Sequence, residues 1–163
     1  AEGATIAALR EAGIPAEAVR AYLEELGVPQ HDVHYDLPRI RRLSLDAIAG
    51  MSDDELARRA GAPLQLAPAL RGARDLEEAR AYARAILDPE PVRLPEEARP
   101  TLERFKELVE VEPRSLVREL KAVGGDLRVL RLALTGRDRG PELWTVIAAL
   151  PREEALRRVD AAL

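Results

Sequence analysis

The chain has 163 residues and a net charge of −4, with 47% hydrophobic but only 3% aromatic side chains, so any core is built from Leu, Ala, Val and Ile. The dominance of Ala, Leu, Glu and Arg over strand-favouring residues predicts an all-α fold, and the absence of cysteine excludes disulfides and thiolate metal sites. No apolar run approaches the roughly 18 residues of a membrane span and no signal peptide precedes the first helix, which leaves a cytoplasmic protein as the expectation.

Thr5 to Ala12 reads as a short helix with Ile6 and Leu9 inward. Pro15 opens a second over 16–26, with Val19, Tyr22, Leu23 and Leu26 on one face and Gly27 as its stop. After a polar loop, a short helix is expected from Asp36 to Leu43 and a further turn over Ser44–Ala49. Ser52-Asp53-Asp54-Glu55 has the form of a capping box for a helix through Ala60. Gly61-Ala62-Pro63 marks the expected boundary between two small helical subdomains, 1–60 and 61–163.

Beyond the boundary lie a helix near 64–70 and another over 75–87, with Leu76, Ala79, Ala83, Ile86 and Leu87 apolar. Thr101 reads as the cap of a helix over 102–111, facing inward through Leu102, Phe105, Leu108 and Val109. A helix over 113–123 ends at Gly124-Gly125, and Asp126 caps the next, which Gly136 stops after Thr135. The chain then crosses a basic loop, Arg137-Asp138-Arg139. Pro141 is expected in the first turn of a helix to Leu150, where its missing N–H is no loss. Residues 151–162 close the set. Arg131 on one helix and the N–H groups of the next then face one small loop, a geometry suited to phosphate or a splayed base.

Charge is unevenly distributed. Residues 1–60 carry 7 basic against 11 acidic side chains, whereas 113–163 carry 10 against 7. A basic C-terminal end on an acidic body presents a local patch to phosphate. His31 and His34, beside Asp32 and Asp36, have a spacing that could bind a divalent metal only weakly, and they read as an ordinary polar loop. No nucleophile–base pair, acid–base carboxylate pair or Gly-rich phosphate loop is present, so neither catalytic nor cofactor-binding nor metal residues are expected. Trp144 has two readings: it stacks an unpaired base, or it packs in the core with Leu143 and Ile147.

The run Leu130-Arg131-Leu132-Ala133-Leu134-Thr135-Gly136, then Gly140-Pro141-Glu142-Leu143-Trp144 and a basic closing helix, resembles the C-terminal anticodon-binding region of bacterial glutamyl-tRNA synthetases. Two earlier blocks, residues 3–27 and 35–56, are similar to the segments that follow the catalytic domain there. Residues 60–126 agree in length and helical character. The stretch between Gly27 and Tyr35 is shorter than in the family, and Arg42-Leu43-Ser44 replaces a W-x-N motif. Gly72 stands where the family often places an anticodon-reading Arg, with Arg71 and Arg74 beside it to substitute.

What the resemblance implies is a helical cage that binds tRNA-Glu. Residues 1–60 would contact the stem, and residues 61–163 the anticodon. Arg131, Pro141 and Leu143 fall on positions that approach the anticodon, Gly140 replaces a variable one, and Arg137 and Arg139 would meet phosphates. No H-I-G-H-type sequence, KMSKS-type loop or nucleotide-binding α/β pattern occurs. The resemblance therefore implies a fragment acting as a monomer beside the catalytic domain of the same enzyme, with ATP and Mg used there and no cofactor here. The alternatives are a freestanding RNA-binding module derived from such an enzyme, or a helical protein–protein adapter.

Overall fold

The computed structural model describes residues 5–28 and 35–163. Among the described residues every regular element is helical, as the composition predicts. The chain divides into two compact units, residues 1–81 and 82–163, the division falling inside one helix, α6. The boundary expected at 60/61 lies within the first unit, where the helix before it packs with the turn and helix that follow.

The first unit begins with α1 (Ile6–Glu11), whose first turn is capped by the Thr5 hydroxyl accepting from the Ala8 N–H. α2 (Ala16–Leu26) ends at Gly27. α1 and α2 bury Leu9 and Tyr22 against Ile40 of α3 (Leu37–Gly50), with Ile14, Val19, Leu26 and Leu43 packed around them. Ile6 and Leu23 were expected inward but are 66% and 42% exposed. They line an open apolar groove of about 470 Å³ with Ile14, Ala16 and Val19. The Tyr22 hydroxyl accepts the Asp36 N–H at 2.8 Å, fixing the start of α3 against α2.

α3 is one continuous helix where a helix and a separate turn were expected. Ile40, Ser44 and Ile48, at helical spacing, are all fully buried, and the Ser44 hydroxyl donates to the Arg74 carbonyl at 2.7 Å. A partner thirty residues away thus holds a serine inside the helix that by local propensity favours its end. α4 (Asp53–Ala60) is capped by Ser52 as predicted, its hydroxyl accepting the Glu55 N–H. Arg59 of α4 pairs with Glu17 of α2 at 2.6 Å and with Glu55 at 2.6 Å. The Glu17 pair chiefly raises its guanidinium above the ordinary range. A 3-10 turn (Leu64–Leu66), α5 (Ala67–Leu70) and the start of α6 (Leu76–Leu87) complete the unit.

The second unit takes up the end of α6, a 3-10 turn (Glu96–Ala98), α7 (Arg99–Leu108), α8 (Pro113–Ala122), α9 (Leu127–Thr135), α10 (Leu143–Ala149) and α11 (Arg152–Ala162). Its core holds Leu102, Phe105, Leu116, Leu120, Leu130, Leu134, Val146 and Val159, each fully buried. Leu87 is 48% exposed rather than part of it. Thr101 does not cap its helix. α7 begins two residues earlier with Pro100 in its first turn, and the buried Thr101 hydroxyl accepts the Asp126 N–H at 3.0 Å, joining α7 to the cap of α9.

Candidate nucleic-acid interface

The loop between α9 and α10 is shaped by its glycines and by two side chains of α9. Gly136 ends α9 in the left-handed region at φ +67°. A Cβ there would sit 2.6 Å from the Glu90 carbonyl oxygen, so both conformation and space require glycine. Gly140 has φ +153°, and a Cβ there would make only an ordinary contact with Arg131 Nη1 at 3.7 Å, so it is the backbone angle that favours glycine. Between them, the buried Thr135 hydroxyl donates to the Arg131 carbonyl at 2.9 Å and accepts the Arg137 N–H at 3.3 Å. Asp138 pairs with Arg128 at 3.2 Å, drawing the loop toward the start of α9.

Arg131 is half-buried beneath this loop and donates from Nη1 to the Pro141 carbonyl. Burial pulls its guanidinium below the ordinary value, with Tyr82 opposing. Glu142, the acid nearest along the chain to Pro141, does not pair with Arg131. Its carboxylate accepts the Trp144 indole N–H at 2.5 Å. Pro141 is not in the first turn of α10. The helix starts at Leu143 with Glu142 as its cap, because Glu142 has ψ 131°, outside the helical region. The Thr145 and Val146 N–H groups point back to the Glu142 carbonyl at 2.9 and 3.3 Å, so they do not face the loop.

The predicted contact residues are therefore placed in different ways. Arg137 and Arg139 are exposed, and neither guanidinium has a partner among the described residues. Pro141 and Leu143 are buried. Arg71, in the first unit, donates to the Ala49 and Met51 carbonyls at 3.0 and 2.7 Å and pairs with Asp53 at 2.5 Å, closing the end of α3 onto the start of α4. Arg74 pairs with Glu78 at 2.9 Å and remains 74% exposed. His31 and His34 lie outside the described residues, and among the described residues no group of three or more His, Cys, Asp or Glu is placed to hold a metal. Likewise among them, no helix is long and apolar enough to cross a membrane.

Two features had no signal in sequence. Arg158 of α11 is buried, donating to the Leu134 carbonyl at 2.7 Å and to Glu154 at 2.6 Å. Arg157 and then Arg158 pull the Glu154 carboxyl down to about 2. Trp144 belongs neither to the core nor to open solvent. Leu143 and Ile147 are buried beside it, while its ring is half-buried with the Arg114 guanidinium 4.0 Å over its centre.

The α9–α10 turn is thus rimmed by the exposed Arg137 and Arg139, with Arg131 fixed under Pro141. Residues 96–163 match the family described as anticodon binding domain, and this segment contains the whole of that turn. A stretch of 51 residues is 47% identical to the glutamate–tRNA ligase of Desulforudis audaxviator (strain MP104C), covering 31% of this chain and 10% of that enzyme. The similarity thus spans about a tenth of the relative's length, and the chain carries a C-terminal anticodon-binding region similar to that of a glutamate–tRNA ligase.

Proposed function

We propose that this chain is the tRNA-binding, C-terminal part of a bacterial glutamate–tRNA ligase, which seats the anticodon arm of tRNA-Glu so that a catalytic domain of the same enzyme can charge the acceptor end. The observation that carries the reading is the 136–142 loop, inside the family-matched segment, with Arg137 and Arg139 in solvent and Arg131 fixed under Pro141. Splayed anticodon bases expose edges that an A-form groove hides. Backbone groups of Gly140, Pro141 and Leu143, and the Arg131 N–H groups not given to Pro141, read those edges, while Arg137 and Arg139 neutralise phosphates. Arg74, the more exposed of the earlier pair at 74% against 35% for Arg71, makes a secondary contact.

In this reading residues 1–60 touch the tRNA stem and 61–163 the anticodon. The chain works as a monomer in the cytoplasm and holds no cofactor, ATP and magnesium being used by the catalytic domain. Such remote binding supports chemistry elsewhere by positioning the substrate. The test is binding of labelled tRNA-Glu and of a non-cognate tRNA. With roughly four phosphates contacted, affinity falls about 100-fold between about 50 and about 200 mM salt, and the cognate tRNA binds more tightly at both. Affinity that ignores salt, or treats the two tRNAs alike, would sink the proposal.

A further inference from the structure

Three cations line one face of α8 in the second unit. Arg114, Arg118 and Lys121 stand at i, i+4 and i+7, within about 60° of one another at 100° per residue. All three are exposed. None forms a salt bridge among the described residues, although Arg114, first through its backbone N–H and then through its charge, helps lower the Glu112 carboxyl, and Arg118 donates to the Ser115 hydroxyl at 3.3 Å. The core contacts of the helix, Leu116 and Leu120, are fully buried on the opposite face. From the first to the last cation the helix rises about 10 Å, the length of one to two nucleotide steps.

A bare stripe of this kind is ordinarily a solvated face. What distinguishes it is its first member, because Arg114 is not loose. Its guanidinium lies 4.0 Å over the Trp144 ring, and the indole is itself pinned by its N–H to Glu142. A planar cation held over a fixed aromatic is a preorganised contact surface, since the rotamer freedom that an exposed Arg would lose on binding is already partly lost. Trp144 sits on the first turn of α10, directly after the loop that carries Arg137 and Arg139.

We propose that the Arg114–Trp144 stack and the cations of α8 form a second RNA-binding element, in which an unpaired base stacks on the outer side of the Arg114 guanidinium and the flanking phosphates meet Arg118 and Lys121. This rests on the RNA-binding reading above and extends it from the α9–α10 loop to α8. A single strand leaving that loop then continues along α8, its first base completing a base–arginine–indole column. The recognition is of an unpaired base and its backbone, tolerant of which base is stacked.

Trp144 is the sole tryptophan of the chain, so its fluorescence reports this site alone. Labelled tRNA-Glu transcript is titrated into the 163-residue protein, following label anisotropy for binding and the acrylamide accessibility of Trp144 for the stack. Binding is expected to shield Trp144. Arg114→Ala is expected to weaken binding about tenfold, and Arg114→Lys to recover little of it, because an ammonium restores charge but not a stacking plane. Arg118→Ala with Lys121→Ala is expected to lower the salt slope by between one and two. Circular dichroism of these exposed-site variants is expected to match the parent. Binding with Trp144 accessibility unchanged, full recovery by Arg114→Lys, or a double variant with the parental salt slope would overturn the element while leaving the loop reading intact. No binding by anisotropy would overturn both.

Discussion

Arg131 of α9 donates its guanidinium N–H to the carbonyl oxygen of Pro141, ten residues on and across the glycine-bounded loop. A half-buried arginine thereby takes a backbone carbonyl as its partner in place of a carboxylate, and the chain direction at Gly140-Pro141 is set before any ligand arrives. The loop between is free to present Arg137 and Arg139 outward because its own end is held from beneath.

Removing that clamp has a stability effect as well as a binding effect. Arg131→Ala is expected to lower unfolding free energy by about 1–3 kcal/mol, the range for a lost hydrogen bond to a charged group. It also weakens tRNA-Glu more than a non-cognate tRNA. Urea denaturation and anisotropy titrations check the two parts separately, and an unchanged midpoint would show that the Pro141 contact does not hold the loop.

Arg137→Ala and Arg139→Ala should leave the fold untouched, since neither guanidinium contacts the protein. Each is expected to weaken cognate and non-cognate tRNA alike and to reduce the salt slope by about one. A slope identical to that of the parent would remove the residue from the interface.

Gly136→Ala is expected to destabilise by about 2–4 kcal/mol. The alanine must adopt φ +67° and its Cβ must displace the Glu90 backbone, 2.6 Å away. Gly140→Ala meets no such neighbour and should be milder. Thermal melts of the pair decide it: equal losses would contradict the close approach at Gly136.

The Glu154 carboxyl, held down to about 2 by Arg157 and Arg158, makes stability depend on acid pH. A group whose pKa is depressed on folding contributes stability that is fully present above its unfolded value, near 4.5, and is lost as pH falls through the folded one. Melting temperature is therefore expected to drop from about pH 5 to about pH 2, and Glu154→Gln to flatten that part of the profile. Arg158→Ala, which strands the Leu134 carbonyl and leaves Glu154 with Arg157 alone, should lose about 2–3 kcal/mol at neutral pH. A parental melting point for Arg158→Ala would refute the role of this buried arginine.

The sequence by itself determined the helical class and most of the helix ends. Ser52 and Asp126 cap where they were expected to, Thr5 and Asp36 cap the helices they were read as opening, and Gly27 and Gly136 stop their helices. These signals are local, because a cap and the N–H it satisfies lie within one turn. The loop with Arg137 and Arg139 was legible for the same reason, being set by the glycines and caps at its two ends. Tertiary structure alone decided where side chains find partners far along the chain. Ser44 sits inside α3 with its hydroxyl donating to the Arg74 carbonyl, Thr101 serves Asp126 rather than its own helix, and Arg158 closes on Leu134. Arg71 is committed to the end of α3, and Arg114 lies over Trp144. Whether a given arginine is a structural clamp or a free cation depends on which carbonyl, carboxylate or ring packing brings within about 3–4 Å. Periodicity reports which face a residue occupies but not what stands opposite it.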